Sequence, residues 1–108
     1  MAKLETTDSP LKEPIMSKPA IEIHYCRTCR FVLRATWMAQ ELLFTFADDL
    51  GALTLVPDEG GTLRVQTTDG TILFDRKTEG RFPESKELKQ LVRDVIAPGK
   101  DLGHSDKD

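Results

Sequence analysis

Ile21-Glu22-Ile23-His24-Tyr25-Cys26-Arg27-Thr28-Cys29-Arg30-Phe31 is the stretch on which the fold turns. Its first five residues alternate apolar and polar with β-branched side chains on one side, which predicts a short strand over 21–25. Past Cys29 the period changes. Ala35, Met38, Leu42 and Phe46 fall on one helical stripe, widened by Phe31, Ala39, Leu43 and Leu50, so the spacing predicts a helix from Cys29 to Leu50. Gly51 is then the expected C′ residue. Asp48 and Asp49, in the last turn, oppose the helix macrodipole and predict a frayed end.

Leu53 to Val56 reads as a second strand, stopped by Pro57-Asp58-Glu59-Gly60-Gly61. Thr62 to Thr67 and Thr71 to Asp75 read as a hairpin around Asp69-Gly70, a pair that supplies the positive φ values a tight turn requires. Arg76 to Phe82 is a polar loop. Pro83 suits a first helical turn, where its missing N–H costs nothing, and Leu88, Leu91, Val92, Val95 and Ile96 form the apolar stripe of a helix ended by Pro98-Gly99. The order is β-α-β-β-β-α. Strand, helix and strand imply a right-handed parallel crossover, and the hairpin completes a four-stranded mixed sheet with two helices on one face. That is an α/β two-layer sandwich of thioredoxin-like arrangement, with a split βαβ fold as the alternative.

Residues 1–19 carry Pro10, Pro14 and Pro19 without apolar periodicity and read as a disordered N-terminal tail, in which Met16 is a second candidate start. Residues 98–108 read as a flexible C-terminal tail, which leaves one domain over 20–97. A chain of 108 residues and 12.1 kDa with 39% apolar residues can build one modest core. Fifteen basic against eighteen acidic residues, a net charge of −3 and a pI of about 5.4 argue against a nucleic-acid binder, which carries a basic surplus. No run approaches the ~18 consecutive apolar residues of a membrane span. The N-terminus has no apolar signal core, so the expected compartment is the reducing cytoplasm. There, two cysteines point to chemistry or metal rather than to scaffolding.

Those cysteines form Cys26-Arg27-Thr28-Cys29, placed where the first strand ends and the first helix is predicted to begin. Across a first helical turn the two sulfurs come within bonding distance, and unpaired N–H groups lower the cost of a thiolate. Arg27 and Arg30, with Arg34 beyond them, add positive charge, and no acidic residue intervenes before Glu41. The chemistry expected is thiol–disulfide exchange, one sulfur attacking and the other resolving. A structural zinc needs four ligands, and only His24 and His104 could join the cysteines, so no metal is expected. Haem attachment fails because Arg30, not histidine, follows Cys29. A purely structural disulfide closing so short a loop would restrict the unfolded chain little.

Trp37 and Phe44 fall on the charged side of the helix with Arg30, Arg34, Glu41 and Asp48. Either they cap a core edge, with Arg34 stacked on Trp37, or they form an exposed patch beside the thiols for a protein partner or a second subunit. Arg76, Lys77, Lys86 and Lys89 read as a solvated face.

The segment Tyr25-Cys26-Arg27-Thr28-Cys29-Arg30, the helix through Trp37-Met38-Ala39-Gln40-Glu41-Leu42-Leu43, and Gly80-Arg81-Phe82-Pro83-Glu84 before Lys86-Glu87-Leu88-Lys89 together resemble the selenoprotein W group. More closely they resemble its bacterial cysteine-containing members, the SelT/SelW/SelH or Rdx-type proteins, over about residues 20–97. The resemblance implies a thioredoxin-like fold and a redox role linked to glutathione or a thioredoxin-system protein. It implies glutathione as a co-substrate and no bound cofactor. The family's selenocysteine position corresponds to Cys29, whereas thioredoxins attack from the position of Cys26. Thioredoxins also carry a cis-proline just before the hairpin. Here Gly60 and Gly61 stand there and Pro57 lies too early, so the glycine-loop backbone becomes, with Trp37, the expected partner-docking element. Two functions follow: a thiol–disulfide oxidoreductase, or a redox-sensing interaction module without turnover. Either would be a monomer or a weak homodimer.

Overall fold

Strand β1 (Ala20–Cys26) has neighbours on both sides. It runs parallel to β2 (Ala52–Asp58), with Ala20 opposite Ala52 and Cys26 opposite Asp58, and antiparallel to β3 (Leu63–Thr67), with Ile23 opposite Val65. Strand β4 (Ile72–Asp75) completes the order β2-β1-β3-β4 as an edge antiparallel to β3. A parallel pair needs a crossover, and α1 (Val32–Thr45) supplies it. These features come from a computed structural model that describes residues 18–103.

Both long helices cover one face of the sheet. Ile21, Ile23, Leu63 and Val65 meet Ala35, Met38, Leu42 and Phe46 of the first helical region in a single buried cluster. Leu88 and Val92 of α3 (Ser85–Ile96) close it from the other side. This is the thioredoxin-like two-layer α/β sandwich with a four-stranded mixed sheet that the sequence predicts. It carries one addition, the single-turn helix α2 (Arg76–Glu79), where a polar loop is expected. The Asp75 side chain caps that turn by accepting from the Lys77 N–H at 3.0 Å, and Gly80, at φ 75°, ends it.

Element boundaries depart from the sequence reading where tertiary contacts take over. Helix α1 begins at Val32 rather than Cys29 and ends at Thr45 rather than Leu50. Phe31 and Leu50 continue the apolar period, yet they reach the core from turns outside the helix. Leu50 is held by its N–H donating to the Phe46 carbonyl at 3.0 Å. Gly51 is not among the positive-φ residues, so it is not a left-handed helix terminator. Helix α3 begins at Ser85. Its N-cap is Glu84, whose side chain and that of Glu87 form a capping box, and Pro83 lies buried just ahead of it.

In the hairpin, only Gly70 adopts positive φ (100°), while Asp69 does not. The Gly70 N–H donates to the Thr67 carbonyl at 3.0 Å and the Thr67 N–H to the Thr71 carbonyl at 2.9 Å. This is a turn closed by a left-handed glycine, not a two-residue Asp-Gly turn. Asp69 instead accepts from the Thr67 hydroxyl and from the Thr71 N–H, which holds its carboxyl below the usual value.

Residues 98–103, read from sequence as tail, are tied back. The Lys100 carbonyl accepts from Arg93 Nη1 at 2.9 Å, Lys100 Nζ lies 3.3 Å from Asp49, and Leu102 packs on the core. The expected N-terminal tail up to residue 17, Met16 and His104 included, lies outside the described residues on one side or the other. Among the described residues no helix is long and apolar enough to cross a membrane.

Candidate redox site

Cys26 closes β1, and both neighbouring strands hold it. Its N–H donates to the Thr62 carbonyl at 2.7 Å, and the next N–H, of Arg27, donates to the Asp58 carbonyl at 2.9 Å. The chain then turns through 27–31 and returns Cys29 to Cys26, with which it forms a disulfide at a Cα–Cα distance of 5.4 Å. Just past it, Arg30 redirects the chain towards the helix at φ 62°, the one non-glycine residue in the left-handed region among those described. Such a conformation costs about 1–2 kcal/mol for a residue with a Cβ. The motif therefore sits on a turn ahead of the helix, not on the first helical turn. The helix N-terminus, with Phe31 at its cap, no side-chain cap bond and no acidic residue in its first turn, begins three residues beyond Cys29.

The two sulfurs are unequal. Cys26 is fully buried, whereas Cys29 is exposed. Thioredoxins attack from the position of Cys26, but here the strand end packed between its neighbours leaves Cys29 as the accessible sulfur. The Thr28 hydroxyl lies 3.5 Å from Cys26 Sγ, a neighbour the sequence reading did not weigh.

The electrostatics also differ from a count along the chain. Glu59, 32 residues away, reaches Arg27 Nη2 at 2.5 Å, so the Arg27 charge is already matched. Arg30 and Arg34 line an open hollow of about 450 Å³ with Leu33 and Trp37. Trp37 is 43% exposed. Arg34 stacks not on Trp37 but over the Phe82 ring at 4.1 Å. Phe82 in turn meets Phe31 edge-on at 5.0 Å, and the Arg76 guanidinium lies over both rings. Arg76 also donates to the Gly61 carbonyl at 3.3 Å, linking α2, the glycine loop and the turn after Cys29.

Gly60 and Gly61 adopt φ 69° and 76°. An added Cβ would meet only Lys77 Nζ at 3.6 Å and Arg76 Nη1 at 3.8 Å, so backbone conformation rather than crowding requires glycine here. The loop thus rests against α2, while Trp37 stands on the outer face of α1.

His24 hydrogen-bonds Glu22 at 2.9 Å and lies 3.9 Å from Asp58. Among the described residues no cluster of three or more His, Cys, Asp or Glu side chains could hold a metal ion.

A family model described as the Rdx family matches residues 20–94. The crystal structure of a Bordetella parapertussis protein is similar at 53% sequence identity and a TM-score of 0.70, covering 73% of this chain and 99% of that one. A selenoprotein W-related protein from Vibrio cholerae is similar at 48% identity and a TM-score of 0.70, covering 73% of this chain and 98% of its own. No curated protein matches.

Proposed function

This chain belongs to the Rdx family, and on that premise we propose that it is a cytoplasmic thiol–disulfide redox protein in which Cys29 attacks and Cys26 resolves. The observation that carries this assignment is the contrast between an exposed Cys29 and a fully buried Cys26 joined in one disulfide. An incoming thiolate, from glutathione or a thioredoxin-system protein, can approach only the exposed sulfur. It bonds to Cys29 Sγ, the Cys26–Cys29 bond breaks, and the electron pair leaves on Cys26 Sγ. A second thiolate then attacks the donor sulfur of the mixed disulfide, forming the oxidised donor and releasing Cys29 as a thiolate. In the substrate direction, the Cys29 thiolate attacks a disulfide and expels one thiolate. Cys26 then attacks Cys29 Sγ, expels the other and restores the internal disulfide. Two electrons move in each cycle, with no bound cofactor and glutathione as co-substrate.

Arg30, with no ion-pair partner among the described residues, supports the Cys29 thiolate, while Arg27 contributes less because Glu59 matches it. The Thr28 hydroxyl is placed to donate to the departing Cys26 thiolate. Trapping tests the assignment. Cys26→Ser should accumulate a mixed disulfide through Cys29 with glutathione, and Cys29→Ser should accumulate none. The opposite pattern would reverse the two roles.

A second reading, redox sensing without turnover, draws on the exposed apolar residues Leu33 and Trp37 just past Cys29. Stoichiometric oxidation with no catalytic reduction of a glutathione-mixed disulfide would select it.

A further inference from the structure

The face of α1 directly opposite the core is apolar. Ala35, Met38, Ala39 and Leu42 point inward, and the residues half a turn away should be the most polar of the helix. They are Leu33, Trp37, Gln40 and Phe44, spaced four, three and four apart, which is the spacing of a helix-pairing seam. Leu33 is 73% exposed and Phe44 88%. Val32 and Leu43 extend the seam along one flank, both exposed. Arg30, which lines the hollow with Leu33 and Trp37, stands just before the helix and Asp48 just after it, both exposed, and neither has an ion-pair partner among the described residues.

We propose that this face is a self-complementary interface that takes a second copy of this chain, with the two α1 helices antiparallel across a two-fold axis. The assignment rests on reciprocity, since in a two-fold interface whatever residue i touches as j must also be touched as i. With the axis midway between Trp37 and Gln40, Leu33 of one copy meets Phe44 of the other, and Trp37 meets Gln40. On the apolar flank Val32 meets Leu43. At the ends of the seam the Arg30 turn of one copy lies beside the Asp48 turn of the other, and the symmetry repeats each contact. A parallel pairing would instead bring the two Arg30-bearing ends together and the two Asp48-bearing ends together. The antiparallel register satisfies apolar and charged positions together, and it opposes the two helix dipoles favourably. Fourteen residues give a seam about 21 Å long. An interface built on one helix pair falls at the small end of the size scale, so the dimer should be reversible.

Sedimentation equilibrium of the full-length oxidised protein between about 10 μM and about 1 mM tests this. The weight-average mass should climb from 12.1 kDa towards twice that value. Phe44→Asp and Leu33→Asp, both on exposed positions and checked for unchanged circular dichroism, should each hold it at the mass of one chain. Arg30→Glu alone and Asp48→Arg alone should each weaken association about fivefold or more in low salt, and mixing the two variants should restore it, because both ends of the mixed pair then carry opposite charges. A wild-type chain that stays monomeric at about 1 mM would overturn the proposal. So would association that persists in Phe44→Asp, or a mixture that fails to recover.

Discussion

Thr28 and Cys26 show how a single side chain can set the direction of exchange. A hydroxyl 3.5 Å from the buried sulfur stabilises the thiolate more than the disulfide, because it has a charge to donate to only after reduction. Thr28→Val should therefore make the disulfide harder to reduce by about 1 kcal/mol, with Thr28→Ser close to wild type. Equilibration of each variant against glutathione redox buffers reads the change. A Val variant that equilibrates like wild type would remove Thr28 from the mechanism. At this scale the sequence was legible for the motif itself and illegible for its surroundings. The Cys-x-x-Cys spacing announces a bond between Cys26 and Cys29. Nothing along the chain says that Glu59 will claim Arg27 or that Phe82 will claim Arg34, since both partners arrive by folding.

Helix α3 carries a pH dependence of its own. Glu87 accepts from Arg81 Nη1 and Nη2 at 2.8 and 2.7 Å and from the Glu84 N–H at 3.3 Å. The Arg81 guanidinium, foremost, holds its carboxyl below the ordinary value of 4.5. A depressed carboxylate stabilises the fold at pH above its unfolded value, and that contribution is lost as pH falls through the folded value. Glu87→Gln should therefore lower Tm at pH 7 by the equivalent of up to about 1 kcal/mol, the upper end for a half-exposed pair. The gap to wild type should close on acidification below about pH 4.5, followed by circular dichroism melts. A gap that stays constant down to pH 3 would assign the effect to packing instead. Elements were read correctly where a change of period marks them, as at the passage from Ile23 to Ala35. Their ends were misread where apolar residues outside the helix keep its period, as Phe31 and Leu50 do, or where a glutamate acts as cap in place of the usual serine or aspartate.

Across the whole molecule one buried cluster supports both helices and three strands, so no part of the core has a substitute. Leu42→Ala, at a fully buried site between α1 and the sheet, should cost about 2–5 kcal/mol. That is a large share of the roughly 5–15 kcal/mol that stabilises such a domain. Leu43→Ala, one residue on and 47% exposed, should cost the folded monomer well under 1 kcal/mol in urea unfolding at low protein concentration. Comparable losses at both sites would contradict the orientation of α1. The architecture was legible from sequence because strand, helix and strand admit few connections and the glycine turns punctuate the hairpin. The inequality of the two cysteines was not, because it depends on how β2 and β3 close over the end of β1.

That closure makes the redox turn lopsided. The Cys26 N–H is held by the Thr62 carbonyl and the adjoining Arg27 N–H by the Asp58 carbonyl, whereas the segment from Thr28 to Phe31 contributes no ladder bond to the sheet. Cutting the sulfur bridge thus leaves one abutment fixed and frees the other. Any recoil runs forward, through the left-handed Arg30 into the base of α1, and the sheet itself stays deaf to the oxidation state.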